Sequence, residues 1–352
     1  MTTLKKLYSS GEMPDSAYFI SDCTAYCYLS NVDKYAIRGK NLIIGSSELI
    51  VNKILGIDTQ RLETVVTPCT GTIKKITSEK FLSGLNTFSF IINTSTVLAR
   101  QVLETNKILN NNLNNLHEND KLIQDLSVKF YSITEDLAAE YYRRKLPWIN
   151  DITKKYYNTI TYKRGEAFSK SIDSITITPS TELSKNMIEF HRGTSICEEN
   201  TSGEEMYILQ SGAIDVEIHG NKVATIDEKG TVIGEMALLL NEKRTATLRA
   251  KNNTVISIIK KDELKKTVEQ QPDLLQKIAI ALAQRQYYNL LKIGTVNQSL
   301  IEKDLDEEED GEKKALKIEK IKSEVSKLKS EISDAAYKKD ADFLRDIISK
   351  YE

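Results

Sequence analysis

The residues best placed to do chemistry lie in one stretch, VIGEMALLLNEKRTATLRA, from Val232 to Ala250. Gly234 permits a sharp backbone turn, and Glu235 to Leu240 are good helix formers. A helix starting there turns unpaired N–H groups and the positive end of its dipole toward an anion. Arg244, ten residues after Gly234, returns a planar guanidinium suited to phosphate. Glu235 repels a phosphate but accepts a hydrogen bond from a sugar hydroxyl. Together these side chains describe a pocket for a small phosphate ester carrying a ribose. The plain structural alternative is a buried Glu–Arg pair in a domain that binds nothing.

Gly234, Glu235, Ala237 and Leu238, followed by Arg244, Thr245, Ala246 and Thr247, resemble the phosphate-binding cassette of the cyclic nucleotide-binding domain family. The stretch departs from that pattern at Lys243, where many members carry proline. The resemblance implies a site formed by Gly234, Glu235, Met236, Ala237, Arg244, Thr245 and Ala246. In it Ala237 and Ala246 offer backbone contacts, Arg244 meets the cyclic phosphate, and Glu235 holds the ribose 2′-hydroxyl. Thr245 stands where cyclic GMP-selective relatives use a threonine on guanine, a lean toward tolerance of cyclic GMP. Relatives also fold the helix after the barrel over the base. That makes Tyr287 or Tyr288 a candidate lid, with core packing as the other role for either tyrosine.

These residues need elements to hold them. Gly193, Gly203, Gly212, Gly220 and Gly230 punctuate short strands about ten residues apart, the spacing of a jelly roll. Upstream, Tyr18 precedes Tyr207 by 189 residues and Gly45 precedes Gly234 by the same offset, which argues for an internal repeat. AYFISDCTAYCYL reads as a strand pair turning near Asp22. The first copy has Ser46 in the glutamate position, and its best arginine, Arg61, comes sixteen residues after Gly45. It therefore reads as degenerate and structural, with Glu48 the one carboxylate near the vacant role.

Between the copies, Leu116, Ile123, Phe130 and Leu137 recur every seven residues in a span free of glycine and proline, so long helices are expected, interrupted around Asn110 to Asn115. Asp120 and Ser127 break the seam of a strict coiled coil. Pro272 opens a helix carrying Leu274, Leu275, Ile278 and Leu282. Asp304 to Lys314 reads as an acidic linker. Ile318, Ile321, Val325, Leu328, Ile332 and Ala335 then form a heptad seam, for a self-folding hairpin or for an oligomer or partner.

The expected fold class is α+β: two β jelly-roll barrels linked by long helices, with a C-terminal helical tail. The expected divisions are 1–96 for a degenerate barrel, 97–160 for a helical connector, 161–296 for the nucleotide-binding domain with its lid, and 297–352 for linker and heptad helix. At 40% hydrophobic and 28% charged residues the chain can bury cores, and its net charge of −1 draws it to neither nucleic acid nor anionic membrane. Cys23, Cys27, Cys69 and Cys197 lack metal spacing, and His117, His191 and His219 form no HxH pair. No secretion leader, membrane span, helix-turn-helix, nucleophile set or Walker motif is read, so the expectation is a cytoplasmic protein that is not an enzyme and binds neither DNA nor membrane. Its expected ligand is cyclic AMP or cyclic GMP, with no other cofactor and no metal, and its output passes through a protein partner or a homo-oligomer. The alternative is a non-binding scaffold that uses barrels and terminal helices for assembly.

Overall fold

A computed structural model describes residues 4–29, 33–68, 71–157, 159–170, 175–177, 187–303 and 307–351 of the 352-residue chain. Cys69 and Asp304 to Asp306 of the acidic stretch lie outside the described residues. The chain forms two units, residues 1–106 with 172–287, and residues 107–171 with 288–352.

In the first unit, strands β1 (Lys5–Tyr8), β2 (Ser16–Tyr28), β3 (Lys34–Ile44), β4 (Thr64–Thr67) and β5 (Ile73–Thr77) make one antiparallel sheet, with helix α1 (Ser46–Lys53) between β3 and β4. The order is β1-β4-β2-β3, and β5 pairs with the start of β2. The expected strand pair around Asp22 is instead the single long β2, kinked where Asp22 takes φ 47°. Asp tolerates that left-handed conformation, so the strand bends without reversing. β2 thereby serves β5 along its first half and β4 along its second, both on the side away from β3. The described residues of this segment thus build one five-stranded sheet, where a second two-sheet barrel was expected. Helices α2 (Ser78–Gly84) and α3 (Phe88–Asn114) follow; α3 enters the second unit after residue 106.

The second unit holds α4 (Glu118–Arg144), α5 (Pro147–Lys154) and α6 (Ile160–Ser169). The break before α4 falls at Asn115–His117, beside the asparagine run. Gly165 of α6 meets α4 so closely that a Cβ there would stand 2.0 Å from the Ser127 carbonyl oxygen.

The chain returns to the first unit through β6 (Ile175–Thr176), β7 (Met187–Phe190), β8 (Ser195–Cys197), β9 (Glu205–Ser211), β10 (Ile214–Ile218), β11 (Asn221–Ile226) and β12 (Thr231–Ile233). The short helix α7 (Glu235–Leu240), β13 (Thr247–Ala250) and β14 (Thr254–Lys260) complete a sandwich. Its sheets run β11-β10-β13-β8 and β6-β12-β9-β14-β7, antiparallel throughout, as the glycine spacing requires. Tyr207, Leu209, Ile214, Leu248 and Ile256 fill the space between them. Two further helices follow, α8 (Leu264–Gln270) and α9 (Asp273–Lys303), whose Leu274, Leu275, Ile278 and Leu282 join the core of the first unit.

Helices α10 (Glu307–Lys338) and α11 (Phe343–Lys350) close the second unit. Glu307 to Lys314, read as linker, is helical within α10, where one interior glycine costs only about 1 kcal/mol. The seam Ile318, Ile321, Val325, Leu328 and Ile332 is buried within the chain, against Ile123, Phe130, Ile133 and Leu137 of α4. Ala336 is the more buried alanine at its end, with Ala335 packed beside it. Asp120, on the α4 side of this packing, is buried and paired with Lys314 Nζ at 3.1 Å.

Candidate functional site

Gly234 leaves β12 with φ 82° and stands at the N-cap of α7, the backbone turn its sequence position predicts. A Cβ on it would sit 2.2 Å from Nη1 of Arg244, so the missing side chain makes room for the guanidinium. Arg244 lies in the loop before β13 and is 5% exposed. Its Nη1 donates to the Gly234 carbonyl at 3.4 Å, and its Nη2 to the Glu205 carbonyl at 2.5 Å and the Tyr207 hydroxyl at 3.1 Å. The Tyr207 ring centroid is 4.8 Å from the guanidinium carbon. Nε has no partner among the described residues. Among them, too, no carboxylate oxygen lies within ion-pairing distance, 4.0 Å, of Arg244. The guanidinium is thus a buried cation bonded only to neutral oxygens.

Glu235 opens α7 and is 5% exposed. Its Oε1 accepts from Arg285 Nη1 of α9 at 2.6 Å. Burial raises the Tyr207 phenol well above its ordinary pKa, against the pull of Arg244, so Tyr207 stays a neutral partner. Burial likewise raises the Cys197 thiol, keeping it protonated at neutral pH and unsuited to nucleophilic work.

Arg244 and Glu235 line a cavity of about 730 Å³, within the range of small-molecule sites. All seven residues expected from the cassette line it: Gly234, Glu235, Met236, Ala237, Arg244, Thr245 and Ala246. Tyr287 and Tyr288 do not; both are buried in packing. From α9 the cavity takes Arg285 instead, and from α3 it takes Leu103 and Asn106. Arg285 carries a signal that was open to reading, being the sole arginine of α9. Nothing local pointed to Leu103 or Asn106.

Neither barrel histidine belongs to a group of potential metal ligands among the described residues. His219 sits with Gly220 in the hairpin turn between β10 and β11 at φ 50°, its Nδ1 3.0 Å from Glu199 Oε1. No group of three or more His, Cys, Asp or Glu side chains among the described residues is placed to hold a metal. Nor is any helix among them long and apolar enough to cross a membrane.

The first segment holds a related arrangement. Gly45 has φ 82° at the N-cap of α1, and Arg61 Nη1 donates to its carbonyl at 2.7 Å. Arg61 Nη2 donates to the Ser16 carbonyl, the position 189 residues before Glu205. The Tyr8 ring centroid is 4.4 Å from the Arg61 guanidinium carbon. Here, however, Glu48 Oε2 stands 3.3 Å from Arg61 Nη1, so the charge is neutralised from within, and Ser46 replaces the glutamate.

The antiparallel sandwich thus brings a glycine-capped helix, a buried arginine and a carboxylate onto one cavity. The sequence profile of the cyclic nucleotide-binding domain matches residues 187–271, which are therefore one such domain. The chain is 35% identical over 131 residues to a cGMP-dependent protein kinase of Toxoplasma gondii, covering 35% of this chain and 13% of that protein. It is 29% identical over 116 residues to a cAMP-dependent protein kinase regulatory subunit of Debaryomyces hansenii, covering 32% of this chain and 26% of that protein. The chain thus spans only a minor part of the length of these curated relatives. Among solved structures it is similar to "cAMP bound PfPKA-R (141-441)", at 16% identity and TM-score 0.25, covering 78% of this chain and 75% of that one. The domain match supports a cyclic nucleotide as the class of ligand.

Proposed function

We propose that this protein is a cyclic nucleotide sensor whose ligand site is the cavity of residues 231–246. One observation carries the reading: Arg244 is a buried cation, facing a cavity, that has no anionic partner among the described residues. Burying an uncompensated charge is costly, and a cyclic phosphate at the unpartnered Nε would supply the missing anion and hydrogen bond. Glu235 keeps a second carboxylate oxygen for the ribose 2′-hydroxyl while Arg285 holds the first. Thr245 lines the same cavity, which favours tolerance of cyclic GMP beside cyclic AMP.

On this reading residues 161–296 are the responding part and residues 1–96 a copy that does not bind ligand. Ligand must favour one arrangement of α9 over another to transmit anything, and Arg285 is the contact through which it would do so. The output goes to a protein partner in the cytoplasm, without catalysis and without DNA. The rival reading, a non-binding scaffold, draws on the fact that Glu235 already has an internal partner. Calorimetric titration of the full chain with cyclic AMP, cyclic GMP and cyclic dinucleotides decides between them. Binding by the wild type and its loss in Arg244→Glu supports the sensor; no binding by the wild type leaves the scaffold.

A further inference from the structure

The segment of α9 that carries Arg285 is held on its other side by the first sheet and α3. Ser47 Oγ of α1 donates to the Ala283 carbonyl at 3.0 Å. Gln286, fully buried, donates through Nε2 to the Tyr35 hydroxyl at 3.1 Å and accepts through Oε1 from Thr105 Oγ1 at 2.8 Å. Residues 283 and 286 share one face of a helix, and residue 285 points elsewhere. That other direction takes Arg285 to Glu235 at 2.6 Å. Tyr35 in turn donates to Glu63 Oε2 at 2.7 Å, Tyr8 to Glu63 Oε1 at 3.1 Å, and Gln101 Nε2 reaches both Glu63 Oε1 and Tyr35. A buried network of this kind, hydrogen-bonded at every named atom with Gln101 Oε1 alone unpaired among them, holds its members in one geometry.

We propose that the first sheet and α3 together are a built-in clamp for the nucleotide site: Tyr35 and Thr105 are positioning residues that fix Gln286, and through it set Arg285 over Glu235. This rests on the cyclic nucleotide reading of the cavity. With Arg285 displaced, Glu235 would present a bare carboxylate to an anionic ligand, so loosening the clamp weakens binding without touching the cavity wall.

The network also carries a pH signature. Burial first, then the nearby Glu48 carboxylate, push the Glu63 carboxyl up to about 8, against hydrogen bonds from Tyr35 and Tyr8 and the charge of Arg61. The groups facing it are Tyr8 of β1, Cys27 of β2, Tyr35 of β3, Glu48 of α1, Arg61 before β4 and Gln101 of α3. Above that pH a second carboxylate charge appears beside Glu48 in a dry interior, and the clamp loosens.

The test is calorimetry of the full chain with cyclic AMP and cyclic GMP, for wild type, Tyr35→Phe, the near-isosteric Thr105→Val, Arg285→Ala, and the two doubles with Arg285→Ala. Each single substitution should weaken binding, by about tenfold for Arg285→Ala, the size of one lost charge interaction. The doubles should be no weaker than Arg285→Ala alone, the non-additivity expected of residues acting through one another. Wild-type affinity should fall as pH rises through about 8, and Arg285→Ala should lack that fall. Full additivity, or a pH fall that survives in Arg285→Ala, overturns the clamp. Hydrogen exchange at residues 283–287 of the free protein gives a reading that needs no ligand: it should quicken in Thr105→Val and Tyr35→Phe, and unchanged exchange overturns the clamp. Wild type that binds no cyclic nucleotide but shows that quickening overturns the sensor function alone.

Discussion

Replacing Arg244 by lysine keeps the positive charge and most of the side-chain length, and removes the planar fork. In the wild type that fork reaches the Gly234 carbonyl, the Glu205 carbonyl and the Tyr207 hydroxyl, with Nε left over on a side chain 5% exposed. An ammonium group at the same place cannot serve the two carbonyls and a phosphate together. If it stays with the protein, the phosphate loses a charge-assisted bond of about 1.5–3 kcal/mol, and affinity falls roughly ten- to a hundredfold. If it turns to the phosphate, a buried carbonyl goes unpaired, costing about 1–3 kcal/mol of stability. Calorimetric affinity for cyclic AMP and cyclic GMP, read beside a thermal melt of the same Arg244→Lys sample, covers both branches. Unchanged affinity together with an unchanged melt would refute the reasoning, since neither task would then depend on the guanidinium.

Glu235→Gln should weaken a ribose cyclic nucleotide by roughly tenfold and leave a 2′-deoxy analogue much less affected, as the paired titrations would show. Glu63→Gln should flatten a pH dependence: a carboxyl raised to about 8 in the folded state stabilises fully below its unfolded value near 4.5 and loses that contribution as pH rises through 8, so wild-type melts should fall across this window and Glu63→Gln melts should not. Gly165→Ala places a Cβ 2.0 Å from a backbone oxygen of α4 and should cost about 1–3 kcal/mol or more in denaturant unfolding. Leu328→Ala should cost about 2–5 kcal/mol with no change of mass in solution, because Leu328 is fully buried against α4 within one chain.

The cassette was legible because its chemistry is local. Gly234, Glu235 and Arg244 fall within eleven residues, and φ 82° at the glycine is what its type and place demand. Arg285 reaches Glu235 from 50 residues away and Asn106 comes from α3, so no short window contained them. The heptad stripe from Ile318 to Ile332 was readable as apolar, but a stripe does not say what covers it, and α4 does. At Asp22 the alternation was right and the turn was not, since one left-handed residue kinks a strand as readily as it reverses one. Arg61, sixteen residues after Gly45 where Arg244 follows Gly234 by ten, still finds the glycine carbonyl. A surface loop absorbs six extra residues at little entropic cost, so spacing alone undersold that correspondence.

The two arginines together separate stapling from binding. Each bridges the carbonyl of a left-handed glycine and a carbonyl on the preceding part of the fold, beneath a tyrosine ring. Bridging of this kind ties strand to helix and needs donors, not net charge. What differs is the counter-charge. Arg61 has Glu48 on the same nitrogen that holds Gly45, so an arriving anion would have to displace a carboxylate already desolvated with it. Among the described residues Arg244 has only carbonyls and a phenol whose proton burial retains. An anion entering the 730 Å³ cavity therefore gains an interaction the protein does not already satisfy, whereas the same anion at Arg61 would only exchange one for another. On the proposed reading, a single carboxylate in the first turn of α1 makes the difference between a staple and a site.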